Sequence, residues 1–149
     1  GSEVLLVETA GLCLRCSPYV NGSLGLVVLE ATSGMNLPLK VGPMLSLADT
    51  AVVTKIDRVS QAEREVFRCR IQDVAPHVLV REVNALHGIG VDPLVAQVLQ
   101  TPDTVEPLLL RGNPPVGTCT ICVGRREIGW QAHFGVVRPL ENQTFYRGE

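Results

Sequence analysis

A chain of 149 residues is the size of one domain. Hydrophobic residues make up 46% and aromatic residues only 4%, so the core must rest on Val, Leu, Ile and Ala. The formal net charge is −2, and Lys40 and Lys55 are the only lysines among 13 Lys+Arg, which excludes a general attraction to nucleic acid or anionic lipid.

Val4-Leu5-Leu6-Val7 is a wholly apolar run, as expected of a strand covered on both faces, and it leads into Glu8-Thr9-Ala10-Gly11. Leu24 to Leu29 is a second such run, ending at Glu30-Ala31-Thr32-Ser33-Gly34. Pro43 to Asp49 holds a short helical stretch, and Ala51-Val52-Val53 is a third strand that delivers Thr54-Lys55. Ser60 with Glu63 fits a capping box, after which Ala62, Val66 and Cys69 fall on one helical face. His77-Val78-Leu79-Val80 begins a fourth strand, ending at Asn84. Asp92-Pro93 reads as an N-cap followed by a first-turn proline, with Leu94, Val95, Val98 and Leu99 behind it. Apolar strands alternating with helices predict an α/β fold with a parallel, doubly wound sheet over residues 1–100. In such sheets ligands sit beyond the carboxyl ends of the strands. After Gln100, proline-rich breaks end the alternation, and residues 101–149 read as an appendage around Cys119-Thr120-Ile121-Cys122.

No apolar stretch approaches the roughly eighteen residues of a membrane span. Gly1-Ser2-Glu3 carries no charged-then-apolar targeting pattern, so the expected compartment is the cytoplasm, with no nucleic acid or membrane partner. Gly1-Ser2 reads as a cloning remnant, which puts the expected native start upstream.

Two short motifs stand at strand ends in the right order for base recognition: Thr54-Lys55-Ile56-Asp57, then Asn84-Ala85-Leu86-His87-Gly88-Ile89-Gly90-Val91. A carboxylate at Asp57 can accept two hydrogen bonds from the N1–H and exocyclic amine of guanine, a donor pair that adenine lacks. Lys55 would lay its aliphatic stem along the base, and the Ala85-Leu86 backbone would meet the guanine carbonyl oxygen. The plain alternative is a solvated Lys–Asp turn and a glycine-rich helix start. A phosphate loop needs a lysine followed by Ser or Thr. Val41 follows Lys40 and Ile56 follows Lys55, so the chain carries no such loop.

Val7-Glu8-Thr9-Ala10-Gly11-Leu12 with Ser17-Pro18, Lys40-Val41-Gly42-Pro43 with Ala48-Asp49, Thr54-Lys55-Ile56-Asp57 and Asn84 to Val91 together resemble the HypB/UreG nickel-chaperone P-loop GTPases over roughly residues 3–100. That resemblance implies GTP or GDP with Mg²⁺ as cofactor, a homodimer, a metalloenzyme client and hydrolysis that hands over a metal or assembles a metal centre. It puts Glu8 near Mg²⁺ and the γ-phosphate. Thr54 stands where the family usually has Asn. Hydrolysis is expected only if the phosphate loop comes from a missing N-terminal segment or a partner chain.

Cys13 and Cys16 follow the Glu8 segment, and Cys119 and Cys122 sit between Gly117 and Gly124. Four thiolates suit zinc or an iron–sulfur cluster, although the two pairs lie far beyond a zinc-ribbon spacing. Redox-active dithiols and plain buried thiols are the other readings. Cys69 is expected in the core and His77 and His87 in structural or solvent roles, while His133 packs on Trp130 or, being near Cys122 in sequence, serves as a spare ligand to a metal held by the cysteines. The leading function is a GTP-binding module of a metallocentre-assembly GTPase. The alternatives are a nucleotide-gated iron–sulfur redox component and a non-catalytic scaffold domain of the same fold.

Overall fold

The structure is a computed structural model that describes residues 4–9, 19–102 and 111. Three strands form a parallel sheet in the order β1 (Leu26–Glu30), β2 (Thr50–Thr54), β3 (Leu79–Glu82). Leu26 lies opposite Thr50 and Glu30 opposite Thr54, while Thr50 pairs with Leu79 and Val53 with Glu82. Side chains alternate across a strand, so Val27, Leu29, Ala51 and Val53 share one face, and all four are buried. Helices α1 (Leu37–Lys40), α2 (Gly42–Leu45) and α3 (Gln61–Val74) pack together, and their Leu45, Phe67 and Ile71 belong to the same core as those strand residues. The opposite face carries α4 (Val91–Leu99), whose Gln97 amide donates to the buried Thr50 hydroxyl at 2.7 Å. Helices on both faces of a parallel sheet make this an α/β fold, as the alternation predicted.

The local chemistry explains where the elements begin and end. Ser60 and Glu63 form the expected capping box: the Ser60 N–H donates to Glu63 Oε2 at 2.7 Å, and the Glu63 N–H donates to Ser60 Oγ at 3.3 Å. Helix α3 stops at Ala75 because Pro76 disfavours a helical residue before it.

Five expectations need correction. The helical stretch expected at Pro43–Asp49 starts earlier, at Leu37, and is broken at Val41. Pro43 has no N–H to continue the first helix, so the chain restarts there. Val4–Val7 forms no strand, and Leu5, Leu6 and Val7 are 84%, 78% and 73% exposed. An apolar run becomes a strand only where a neighbour completes its backbone hydrogen bonds, and no described strand pairs with it. The inner face of α3 is Phe67 and Ile71 with part-buried Val74, whereas Ala62, Val66 and Cys69 are exposed. Phe67, Ile71 and Val74 also repeat at i, i+4, i+7, and their larger apolar area decides which stripe turns inward. His77 sits in the turn before β3 and does not open the strand. Helix α4 begins at Val91 with Gly90, not Asp92, as its N-cap.

Candidate functional site

The carboxyl ends of β1, β2 and β3 converge on one edge of the sheet, and both base-reading motifs leave from it. The Val83 N–H donates to Val53 O at 2.8 Å, which extends the β2–β3 pairing and brings Asn84 beside the end of β2.

At the end of β2, the Thr54 hydroxyl donates to Leu29 O on β1 at 3.4 Å, tying two strand ends together. Lys55 then takes a left-handed conformation, φ 55° and ψ 36°, and is the one non-glycine residue with positive φ among the described residues. That conformation costs roughly 1–2 kcal/mol for an L-residue, so the surrounding contacts must hold it. Two are visible. The Lys55 Nζ lies 2.8 Å from Glu30 Oε1, at the end of β1. Ile56, buried at 8% exposure, anchors a single 3₁₀ turn over Ile56–Arg58 whose Arg58 N–H donates back to Lys55 O at 3.1 Å. The turn leaves Asp57 at the surface, with Oδ2 3.3 Å from Arg58 Nε. Thr32 also donates a hydrogen bond to Glu30 Oε1. Hydrogen bonds from Lys55 first, then Thr32, hold the Glu30 carboxyl below the usual carboxylate range.

At the end of β3, Asn84 closes a tight loop. Its N–H donates to Ile89 O at 2.9 Å and its carbonyl accepts from the Ile89 N–H at 3.1 Å, while its side-chain Oδ1 accepts from the His87 N–H at 3.3 Å. Asn84 is 4% exposed. The closure pushes Ala85, Leu86 and His87 outward, with Leu86 82% exposed. Gly90 fixes the return. It has φ 74°, and a Cβ there would fall 2.1 Å from the Glu82 carbonyl oxygen, so no other residue fits.

Thr54, Lys55, Asp57, Ala85 and Leu86 therefore lie on one edge. Glu8 does not join them through a strand, because residues 4–9 form no strand and are exposed. Cys13, Cys16, Cys119, Cys122 and His133 lie outside the described residues. Sequence reasoning missed Glu30, the Lys55 partner. The available signal was a lone acid closing the apolar run Leu26–Leu29, but the pairing is long-range and depends on strand register.

The opposite end of the sheet has its own cluster. Arg111 is 2.9 Å from Asp49 Oδ2, and its guanidinium donates to Leu47 O at 2.7 Å and Ser23 O at 2.6 Å. It also lies 5.8 Å from the Tyr19 ring centroid. Burial pushes the Tyr19 phenol up to about 12, against the opposing pull of Arg111.

Over 100 residues the chain is 33% identical to the urease accessory protein UreG 2 of Streptomyces griseus subsp. griseus, covering 62% of this chain and 43% of that protein. Over 149 residues, 99% of its length, it is 45% identical to the uncharacterized protein MJ0120 of Methanocaldococcus jannaschii, of which it covers 64%. The chain thus spans less than two thirds of either relative. The crystal structure of the hydrogenase maturation factor HypB from Archaeoglobus fulgidus aligns with a TM-score of 0.44 and 18% identity, over 49% of this chain and 40% of that one. No family model matches the chain. Among the described residues no helix is long and apolar enough to cross a membrane, and no group of three or more His, Cys, Asp or Glu side chains could hold a metal ion.

Proposed function

We propose that residues 1–100 form the base-recognising part of a guanine-nucleotide-binding module in a metallocentre-assembly GTPase. The observation that carries this reading is the carboxyl edge itself, where a left-handed Lys55, a surface carboxylate at Asp57 and the outward loop Ala85–His87 leave adjacent strand ends. Ligands bind at that edge in open parallel sheets. The similarity to an accessory protein of urease supports the maturation context.

The donor and acceptor set fits guanine. Asp57 accepts from N1–H and the exocyclic amine, the Lys55 stem covers one face of the base, and the Ala85-Leu86 backbone meets the carbonyl oxygen. A bidentate base contact discriminates by roughly 1–3 kcal/mol, by analogy with bases read in a nucleic-acid groove. The nucleotide's phosphates and Mg²⁺ would supply the chemistry of hydrolysis. They need a phosphate loop from residues outside this sequence, with Glu8 as the carboxylate nearest the metal. In this reading residues 101–149 are an appendage to the α/β domain, with Arg111 bonded to Ser23, Leu47 and Asp49 of that domain, and Cys13, Cys16, Cys119 and Cys122 hold zinc or an iron–sulfur cluster. A homodimer and a metalloenzyme client complete the proposal.

The test is competitive binding of GDP, ADP and XDP to the full-length protein and to Asp57→Asn. A guanine preference that Asp57→Asn converts to a xanthine preference supports the reading. Equal binding of GDP and ADP overturns it.

A further inference from the structure

We propose that Glu30 is a positioning residue that sets the guanine selectivity of this edge by holding Lys55 away from Asp57. The inference rests on the nucleotide reading above.

Lys55 and Asp57 are two residues apart on one tight turn, and a lysine beside a surface carboxylate is a natural ion-pair partner for it. An ammonium seated on Asp57, added to the Arg58 Nε already 3.3 Å from its Oδ2, would occupy the remaining acceptor positions that guanine needs. The chain prevents this with a competing acid on another strand. Glu30 ends β1 opposite Thr54, and its Oε1 takes the Lys55 ammonium at 2.8 Å. Thr32 donates to the same oxygen, which fixes the rotamer of Glu30. The Thr54 hydroxyl bonded to Leu29 O keeps the two strand ends in register beneath the pair.

The same contact has a second consequence. A lysine in the left-handed region has no backbone reason to stay there, and the tether from Glu30 is what its side chain contributes to holding that conformation. The stem between the backbone and the tethered ammonium is then drawn toward β1 along the strand ends, which is the surface a purine would lie on. Glu30 acts through Lys55, and the geometry asks for no contact between Glu30 and the nucleotide.

The experiment is a double-mutant cycle on the full-length protein, with GDP and ADP affinities measured by fluorescent-nucleotide displacement for wild type, Glu30→Gln, Lys55→Met and the double variant. Lys55→Met keeps an apolar stem and removes the ammonium. Glu30→Gln is expected to weaken GDP binding about two- to fivefold, with little change for ADP, the scale set by one partly exposed charge pair. In the Lys55→Met background the Glu30→Gln effect should vanish. The Lys55 side-chain resonance, assigned as the lysine signal lost in Lys55→Met, should move in Glu30→Gln while the Lys40 signal stays. Glu30→Asp should give partial rescue. A guanine-selective wild type in which Glu30→Gln binds GDP unchanged would overturn this inference and leave the nucleotide reading standing. An equal loss in both Lys55 backgrounds would also overturn it, by making Glu30 a direct contact. A wild type that does not prefer GDP to ADP would remove the reading and this inference together.

Discussion

Arg111→Ala should destabilise the α/β domain by about 3 kcal/mol, the loss of two hydrogen bonds from a charged donor with a small contribution from the Tyr19 ring. The Arg111 side chain is 19% exposed, and its guanidinium reaches Asp49 Oδ2 at 2.9 Å, Leu47 O at 2.7 Å and Ser23 O at 2.6 Å. Asp49 in turn accepts from the Gly25 N–H at 2.7 Å, so the cluster ties the starts of β1 and β2 to residue 111. The ion pair adds little by itself, because the Asp49 side chain is 44% exposed and such pairs contribute about 0–1 kcal/mol. The carbonyl contacts dominate. For a domain near 100 residues, a loss of about 3 kcal/mol lowers Tm by roughly 12–24 °C. Urea and thermal unfolding of the full-length protein should show that loss for Arg111→Ala. Arg111→Lys should show a smaller loss, since it keeps charge without the fork that spans two carbonyls. Asp49→Asn should cost less than Arg111→Ala because an amide oxygen still accepts from Gly25. A change below about 0.5 kcal/mol for Arg111→Ala, the size of an ordinary surface substitution, would refute the assignment of Arg111 as a clasp. Guanine-nucleotide affinity measured well below Tm should be unaffected, because the clasp lies at the far end of the strands from Asp57.

Gly90→Ala should be severely destabilising or block loop closure, since the added methyl would sit 2.1 Å from Glu82 O on a residue with φ 74°; limited proteolysis should cut near Asn84–Gly90 in that variant, and unchanged resistance would contradict the close approach. The Glu63 carboxyl is held below its ordinary value of 4.5 by hydrogen bonds from the Ser60 backbone N–H first and the Ser60 hydroxyl second. Its contribution is therefore present above pH 4.5 and fades as pH falls through the lowered folded value. Glu63→Ala should lower Tm near neutral pH, and the difference from wild type should shrink in acid; a difference constant with pH would contradict the cap's charge dependence.

The sheet was legible because its strands are short Val- and Leu-rich runs and its α3 cap is a four-residue pattern. Both are local signals. What failed depends on competition between alternatives that a linear reading cannot rank. Two stripes on α3 share the same spacing, and only the presence of a receiving core shows that Phe67 and Ile71 outweigh Val66 and Cys69. Gly90 displaced Asp92 as the start of α4 because β3 passes so close that only glycine fits, a constraint set by tertiary packing. Glu30 escaped notice for a similar reason, since its role exists only once β1 and β2 align Glu30 with Thr54. The expected places of Thr54, Lys55, Asp57, Ala85 and Leu86 at strand ends follow from the alternation, and the left-handed turn at Lys55 carries no sequence mark of its own.

The most direct measurement is the ratio of GDP to ADP affinity for the full-length protein, compared with the ratio of XDP to GDP affinity for Asp57→Asn. GDP should bind more tightly than ADP by roughly fivefold or more, the lower end of a bidentate base contact, and the variant should reverse to XDP over GDP. Equal affinity for GDP and ADP, or a variant that still prefers GDP, would contradict the guanine reading.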